Sequence, residues 1–257
     1  MQGLDRALRT LYPFNTVQRV LHEGARRTLF LVAVYISQDK GVDVSLGYGM
    51  ESIGDYAFQD CASLASVSVP GSVRSVGKAA FLLCSSLPSV HLPASVTNIS
   101  ASAFERCDAL RTVRIDASNP SIHSTAFREV ELKVLHTNME QVADSRYIGS
   151  YFSFSRDTLE NVTFGDSVKG IGFAAFLKCS SLRHVNISAS VKSIGEYAFQ
   201  ECTDLLSVSV PGSVRSVGQA AFYRCSSLPS VHIPVSVTSM SAHAFQLCNA
   251  LRTMRID

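Results

Sequence analysis

Residues 53–75 read IGDYAFQDCASLASVSVPGSVRS, and residues 76–98 read VGKAAFLLCSSLPSVHLPASVTN. Both stretches place Ala-Phe, Cys, Leu, Val and Pro at the same positions of a 23-residue period. Later copies of the unit begin at Ile99, Ile171, Ile194, Val217 and Met240. Self-similarity at a fixed period of this length is the mark of a repeat architecture. The sequence therefore predicts a stack of similar coils.

The cysteines follow the same period. Successive cysteines are 23 residues apart except for one interval of 72, which is three periods and three further residues. They are Cys61, Cys84, Cys107, Cys179, Cys202, Cys225 and Cys248. Two degenerate copies fill the long interval, at about residues 117–165. One contains Ala126-Phe127 and the other Ile148-Gly149, and we place the surplus residues in a longer loop around Thr137 to Arg146.

A larger duplication overlies the short period. Residues 52–116 and 193–257 match at about three positions in four, with an offset of 141. The offset is six periods plus three, so the irregular interval lies within one copied length. A block of six coils was copied as a whole.

The residues of one unit predict how it folds into a coil. Leu64, Val67 and Val69 form a pattern that resembles the L-x-x-L-x-L strand of leucine-rich repeats, which implies that their large side chains turn inward. Pro70 cannot donate to a neighbouring strand, so it ends the strand at a corner. Gly77 permits a tight bend, and Ala80-Phe81 is interpreted as a short helical turn that fills the coil with an aromatic ring. The equivalent rings are predicted to form one buried column: Phe58, Phe81, Phe104, Phe176, Phe199, Phe222 and Phe245.

The pattern I/V-G-x-x-A-F-x-x-C-x-x-L-x-x-V-x-I/V-P-x-S-V resembles the BspA-like, or Treponema-type, leucine-rich repeat. The resemblance covers roughly residues 30–257 and departs from the pattern at Ser100 and Ser241, where Gly is usual. It implies a mainly β leucine-rich-repeat solenoid of about ten coils. It also implies a bacterial or protist surface protein, often an adhesin, and brings no catalytic residues.

The two ends of the chain differ from the repeats. Residues 1–29 carry apolar residues at helical spacing, so we expect a helical cap over the first coil. The apolar run over residues 29–36 is too short for a membrane span, and the acidic residues before it fit a signal peptide poorly. The chain as given is thus expected to be intracellular, with the cell surface as the family-based alternative. The last coil has no polar cap, so we expect either end-to-end self-association there or a longer parent protein.

Composition narrows the function classes. Net charge is +2, too small to indicate nucleic-acid binding or an anionic membrane. The phosphate-loop, dinucleotide-binding, nucleophile-elbow and zinc-protease motifs are missing from the sequence. We therefore expect no enzyme, no cofactor and no metal. One cysteine per coil is not a zinc spacing, and parallel side chains hold the sulfur atoms poorly for disulfides. The better interpretation is a ladder of small buried thiols.

The outward positions of the predicted strands indicate a binding surface. They carry five Arg and three His against the single acidic residue Glu160, whereas the irregular fourth coil cannot be indexed. This predicts a basic strip that recognises a protein with an acidic face: His91, Arg111, Arg114, Arg183, His184, His232, Arg252 and Arg255. The favoured function is a protein-binding scaffold or recognition module, and the alternative is a surface adhesin or antigen.

Overall fold

A computed structural model describes residues 28–29, 41–139, 141–142 and 156–257. The predicted cap over residues 1–29 lies outside the described residues, except for its last two positions. The described chain winds into a β-solenoid of stacked coils, as the repeat predicts. Each coil contains a short strand, a run of turns and a longer strand, and then a corner leads to the next coil.

The longer strands form the broad side of the solenoid. They pair in parallel, mostly one coil apart and in register. They are β2 (Val42–Ser45), β4 (Leu64–Ser68), β6 (Ser89–Leu92), β8 (Thr112–Ile115), β10 (Val134–Thr137), β12 (Asn161–Phe164), β14 (His184–Asn186), β16 (Ser207–Ser209), β18 (Ser230–Ile233) and β20 (Thr253–Ile256).

The short strands form two parallel sheets on a second side. They are β1 (Thr28–Leu29), β3 (Ser52–Ile53), β5 (Ser75–Val76), β7 (Asn98–Ile99), β9 (Ser121–Ile122), β11 (Gln141–Val142), β13 (Gly170–Ile171), β15 (Ser193–Ile194), β17 (Ser216–Val217) and β19 (Ser239–Met240). Between the two sides, Val73 donates its N–H to the Pro70 carbonyl at 3.0 Å, and equivalent turns follow Pro93, Pro211 and Pro234. The proline corner is confirmed.

The segment predicted as a short helical turn is different. The described residues contain no helix; instead, overlapping turns connect the short strand to the cysteine. Tyr56 and Asp60 have φ angles of 60° and 58°, in the left-handed region that a right-handed helix cannot contain. Equivalent left-handed residues recur in most described coils, and no glycine is among them. The prediction of helical turns was wrong because it was based on local composition alone. Contacts with the neighbouring coil determine these dihedral angles.

Hydrogen bonds between coils explain the unusual turns. Tyr56, Phe58 and Asp60 donate their N–H groups at 2.7–2.8 Å to carbonyls of the next coil. All three donors point toward the C-terminal end of the stack, whereas the intervening Ala57, Gln59 and Cys61 donate to carbonyls three residues earlier in their own coil and not to the opposite neighbour, as they would in a β-strand. The left-handed residues aim alternate N–H groups in this one direction, so each turn segment is held by its successor.

Glycine serves close packing between coils. A Cβ atom on Gly77 would lie 2.6 Å from the backbone of Gly54 and Asp55 in the preceding coil. Gly218 meets Gly195 and Glu196 in the same way. No glycine of the described chain has a positive φ, so the predicted tight bend is not the reason for the residue. Adjacent backbones approach here more closely than any side chain allows.

The aromatic column is confirmed, with two refinements. Phe58, Phe81, Phe104 and Phe127 stack with ring centroids 5.0–5.1 Å apart. The degenerate coil thus contributes a ring, Phe127, that the predicted set did not include. A second run extends from Phe176 to Phe245 at 5.0–5.4 Å, and Phe245 is only partly buried.

The cysteines form a second column beside the rings. None of the seven, all of which lie in described parts of the chain, forms a disulfide, and all but Cys61 are buried. Cys84 donates its S–H to the Phe58 carbonyl at 3.1 Å, and the same bond recurs in four later coils. Burial raises the pKa of Cys107 and of Cys179 to about 12. These features agree with the structural interpretation of the thiol ladder.

Candidate functional site

The broad side of the solenoid presents three rows of outward side chains, which we call the sheet face. Alternation gives two of the rows, because every second side chain of a strand points away from the core, and the residue just before most strands gives the third. In β8 the inward residues Val113 and Ile115 are fully buried, while Arg114 is exposed. Register between coils places Arg114 beside His91 on one side and His136 on the other. Equivalent positions therefore form continuous rows from β6 to β16, while β2–β4 and β18–β20 pair as separate two-stranded sheets on the same side.

All eight predicted site residues lie on the sheet face, but in three groups. One group is at the β6–β8 end and contains His91, Arg111 and Arg114. The pair Arg183 and His184 lies near the middle of the face, at β14. The third group, at β18 and β20, is His232, Arg252 and Arg255. All are exposed except Arg111, which is half-buried.

Two carboxylates beyond the outward strand positions, Asp116 and Asp257, form hydrogen bonds with His and Arg side chains of the two end groups. His91 Nε2 lies 2.6 Å from Asp116 Oδ2, and Arg114 Nε donates to Asp116 Oδ1 at 2.9 Å. Burial opposes ionisation of Asp116, but the hydrogen bonds from His91 and Arg114 outweigh it and lower the pKa of its carboxyl. Asp116 is therefore a carboxylate at neutral pH and cancels much of the local positive charge.

The duplication reproduces this cluster at the other end. His232 Nε2 is 2.5 Å from Asp257 Oδ2, and Arg255 Nε donates to Asp257 Oδ1 at 2.9 Å. The hydrogen bond with His232 is the main cause of a lowered pKa at Asp257. We name the two groups His91–Arg114–Asp116 and His232–Arg255–Asp257 the His–Arg–Asp clusters.

The expectation of an almost acid-free strip needs correction. Asp116 and Asp257 directly follow their strands, so a reading limited to the outward strand positions missed them. The repeated triplet Arg-Ile-Asp at residues 114–116 and 255–257 was the available signal. Arg111 also has an acidic neighbour, since its Nη2 is 3.8 Å from Glu131. The sheet face is a mixed-charge surface and not a basic strip.

The fourth coil is regular on this face. β10 pairs in register with both β8 and β12, although the sequence pattern was too irregular to index. Lys133 precedes β10 and bonds Glu160 at 2.7 Å, which lowers the pKa of the Glu160 carboxyl. Val142 pairs with Ile171, the place predicted for Ile148, so the surplus residues lie between β11 and β12, an interval that overlaps the loop predicted around Thr137 to Arg146.

Neutral polar side chains occupy the centre of the face. Six of them cover the outward positions of β12, β14 and β16: Asn161, Thr163, His184, Asn186, Ser207 and Ser209. They line an open depression of about 280 Å³. Within it, His184 Nδ1 and Ser207 Oγ form a hydrogen bond of 2.9 Å. We call this site the central depression.

In residues 28–29, 41–139, 141–142 and 156–257, no group of three or more His, Cys, Asp or Glu side chains is arranged to hold a metal ion. Those same residues include no helix long and apolar enough to cross a membrane.

Solved structures of bacterial repeat proteins resemble this chain. A leucine-rich cell surface protein from Faecalibacterium prausnitzii is 28% identical, with a TM-score of 0.46 over 84% of this chain and 59% of that one. A leucine-rich repeat protein from Eubacterium ventriosum is 19% identical, with a TM-score of 0.44 over 77% of this chain and 46% of that one. The Treponema pallidum leucine-rich repeat protein is 26% identical, with a TM-score of 0.41 over 74% and 78% of the two chains. The chain thus spans about half of the first two proteins.

Comparison with curated proteins gives no match, whereas comparison with family models gives a clear one. The family model described as the BspA type leucine rich repeat region matches residues 39–134 and 146–257, in six copies. These ranges include most of the sequence and both runs of stacked Phe rings. The chain therefore belongs to the BspA-type leucine-rich repeat family.

Proposed function

We propose that the chain is a non-catalytic protein-binding scaffold whose binding surface is the sheet face. The observation that carries the proposal is the continuity of the exposed rows, which run in register from β6 to β16 over a fully buried core. Repeat proteins bind partners through extended surfaces of this kind, because stacking holds the side chains on a rigid support. The position of all eight predicted residues on this face supports the same use.

The His–Arg–Asp clusters suggest how a protein partner would be held. Asp116 fixes Arg114 through Nε, which leaves the terminal guanidinium nitrogens to donate to a partner carboxylate. Asp257 and Arg255 repeat this arrangement six coils away, about 30 Å at the usual spacing between strands. An elongated protein with acidic groups near both clusters would use both sites, whereas a small one would use a single site.

Site-specific photo-crosslinking in extracts of the source cell tests the surface. A photoreactive residue at Thr112 samples the sheet face, and one at Gln219 samples the turn side as a matched control. We expect one protein to be captured from Thr112 and not from Gln219. Equal capture from both positions would contradict the proposal.

Charge variants then measure the contribution of the end groups. Changing Arg111, Arg114, Arg252 and Arg255 together to Ser should weaken binding of the captured protein and flatten its salt dependence. Arg106→Ser and Arg224→Ser remove positive charge from the turn side and should leave binding unchanged. A folded quadruple variant with the original affinity and salt slope would exclude the Arg residues from the site.

The family resemblance supports a second candidate, a surface adhesin or antigen. Such a protein would present its sheet face outside the cell. Protease treatment of intact source cells, followed by detection with an antibody against the chain, distinguishes the two candidates. Loss of the signal would favour the adhesin, and its persistence until lysis would favour an intracellular scaffold.

Self-association through the last coil is a further proposal about partners. Met254 and Ile256 of β20 are inward residues of the repeat, yet 39% and 61% of their surfaces are exposed. Stacking a second copy on this edge would bury them and pair the strand. Sedimentation equilibrium should show concentration-dependent dimers that Ile256→Lys abolishes, and a monomer at all concentrations would refute the proposal.

A further inference from the structure

We propose that the central depression binds a neutral linear glycan lying along the solenoid axis. This inference goes beyond the proposed function, because it names a second class of ligand for the part of the sheet face between the His–Arg–Asp clusters. It rests on the chemistry of the depression, on its spacing and on those of its side chains that form no hydrogen bond to another described residue.

The chemistry of the depression differs from that of both ends of the face. Its six lining side chains are amides, hydroxyls and one imidazole, without a carboxylate, ammonium or guanidinium group. Charge is confined to the row beside the depression, where Lys133 pairs with Glu160 at 2.7 Å and Arg183 lies one coil further along. Such a surface offers both donors and acceptors but little charge, which suits a ligand whose hydroxyl groups also do both.

Several of these groups are free to bind. The side chains of Asn161, Thr163, Asn186 and Ser209 make no hydrogen bond to another residue of the described chain. His184 uses Nδ1 toward Ser207, so its Nε2 is available to a ligand. An amide donates and accepts at once, so Asn161 and Asn186 can each bind two hydroxyl groups of a sugar.

Spacing favours a glycan over an extended peptide along the axis. The lining groups form two rows of three, one per coil, and paired strands lie about 4.7–4.9 Å apart. One pyranose unit of an extended, equatorially linked glycan advances by about this distance, so successive sugars meet equivalent groups. An extended peptide repeats every two residues, at about 6.6–6.8 Å, and loses register within two coils.

Size sets the expected strength. The depression of about 280 Å³ is slightly smaller than the sites of about 300–1,000 Å³ that hold drug-sized ligands. The described part of the sheet face presents no Phe or Tyr ring on which a sugar could stack. Hydrogen bonds exchanged with water contribute little each. We therefore expect weak binding of one sugar and an affinity that rises with chain length until three coils are covered.

Titration with cello-oligosaccharides tests the inference on the whole chain. The series from cellobiose to cellohexaose is followed by calorimetry and by the side-chain amide signals of Asn161 and Asn186 in NMR spectra. We expect shifts of both signals and an affinity that levels off after cellotriose or cellotetraose. Maltotetraose, whose linkage curls the chain, should bind about tenfold more weakly or not at all.

Three variants, one of them a control, locate the binding. Asn186→Ala should weaken cellotetraose binding about five- to tenfold, as expected for a lost pair of hydrogen bonds. Ser207→Ala should also weaken it, whereas Ser89→Ala, in the same row but in β6, should not. Absence of any amide shift at the highest soluble cellohexaose concentration would overturn the inference. So would equal effects of Ser89→Ala and Ser207→Ala, or binding restricted to acidic glycans or to peptides.

The outcome is separable from that of the proposed function. The Arg quadruple variant leaves the central depression intact, so it should bind cellotetraose normally even where it fails to bind the protein partner. Conversely, Asn186→Ala should weaken cellotetraose binding and leave binding of the protein partner unchanged.

Discussion

The two copies of the duplicated block have nearly the same sequence but not the same burial. Ile99, Val113 and Ile115 of the first copy have no exposed surface. Their counterparts Met240, Met254 and Ile256 are 44%, 39% and 61% exposed. The difference is that further coils follow the first copy and cover it. A coil of this solenoid therefore gains much of its burial from its successor, as expected of an array stabilised by nearest-neighbour interfaces.

We expect the largest difference in the free energy of unfolding between Phe104→Ala and Phe245→Ala. Phe104→Ala removes a fully buried ring with a stacked partner on each side, so it should lower the free energy of unfolding by about 3–5 kcal/mol. Phe245→Ala removes a partly buried ring with one partner, Phe222, and should cost less than half as much. Urea unfolding of both variants measures the difference. Equal losses would show that the following coils do not set the burial energy.

Thiol labelling should separate Cys107 from Cys248. Burial leaves Cys107 with no exposed surface and a pKa of about 12, whereas Cys248 is 8% exposed. In native buffer we expect Cys248 to react with a maleimide at least tenfold faster, a difference of about 1.4 kcal/mol in accessibility. Peptide mapping by mass spectrometry gives the two rates. In denaturant without reductant all seven cysteines should react, and a lower number would indicate disulfides.

Equivalent residues that are followed by another coil in both copies should respond alike to substitution. Asp60 and Glu201 are equivalent, have φ angles of 58° and 59°, and each donate an N–H at 2.8 Å to the next coil. Glycine relieves the left-handed strain but makes the unfolded chain more flexible, so each change to Gly should raise stability by about 0.5–1 kcal/mol. Thermal unfolding tests this, with Gln59→Gly and Gln200→Gly as destabilising controls. Unequal gains in the two copies would contradict the comparison.

The smallest effect concerns pH and the His–Arg–Asp clusters. The folded pKa of Asp116 lies below its ordinary value of 3.8, so the folded protein releases this proton more readily than the unfolded chain. The resulting stability is present above about pH 4 and is lost as pH falls through the folded pKa. Asp116→Asn should cost about 0.5–1 kcal/mol at pH 7, a small amount because the pair is partly exposed, and less near pH 2. Asp257→Asn should change in the same direction but less, and urea unfolding at both pH values tests the two variants.

The repeat made much of the fold predictable. Regular spacing identified the inward Leu and Val positions, the proline corner and the Phe and Cys columns, because each depends on a side chain's own chemistry at a fixed phase. The fourth coil was harder to read, since Phe127 and β10 keep their places there although the cysteine is replaced by Val130. Pairing with β8 and β12 holds that coil in register where its sequence pattern fails.

The candidate site was predictable only in part. The repeat pattern placed all eight Arg and His residues on one face. It did not reveal that Asp116 and Asp257 would turn toward them, since both residues lie beyond the strands whose outward positions were read. The central depression was also unforeseen. Short side chains such as Ser207 and Ser209 carry no signal alone and form a cavity only beside larger neighbours.

The sequence by itself determined the period of the solenoid, the residues that face its core and the family to which it belongs, because all three are properties of one coil repeated. The tertiary structure alone decided the left-handed turns, the neutralised charges and the unequal burial of the two copies. Each of these depends on contacts between successive coils, more than 20 residues apart in the chain. A single coil does not contain that information.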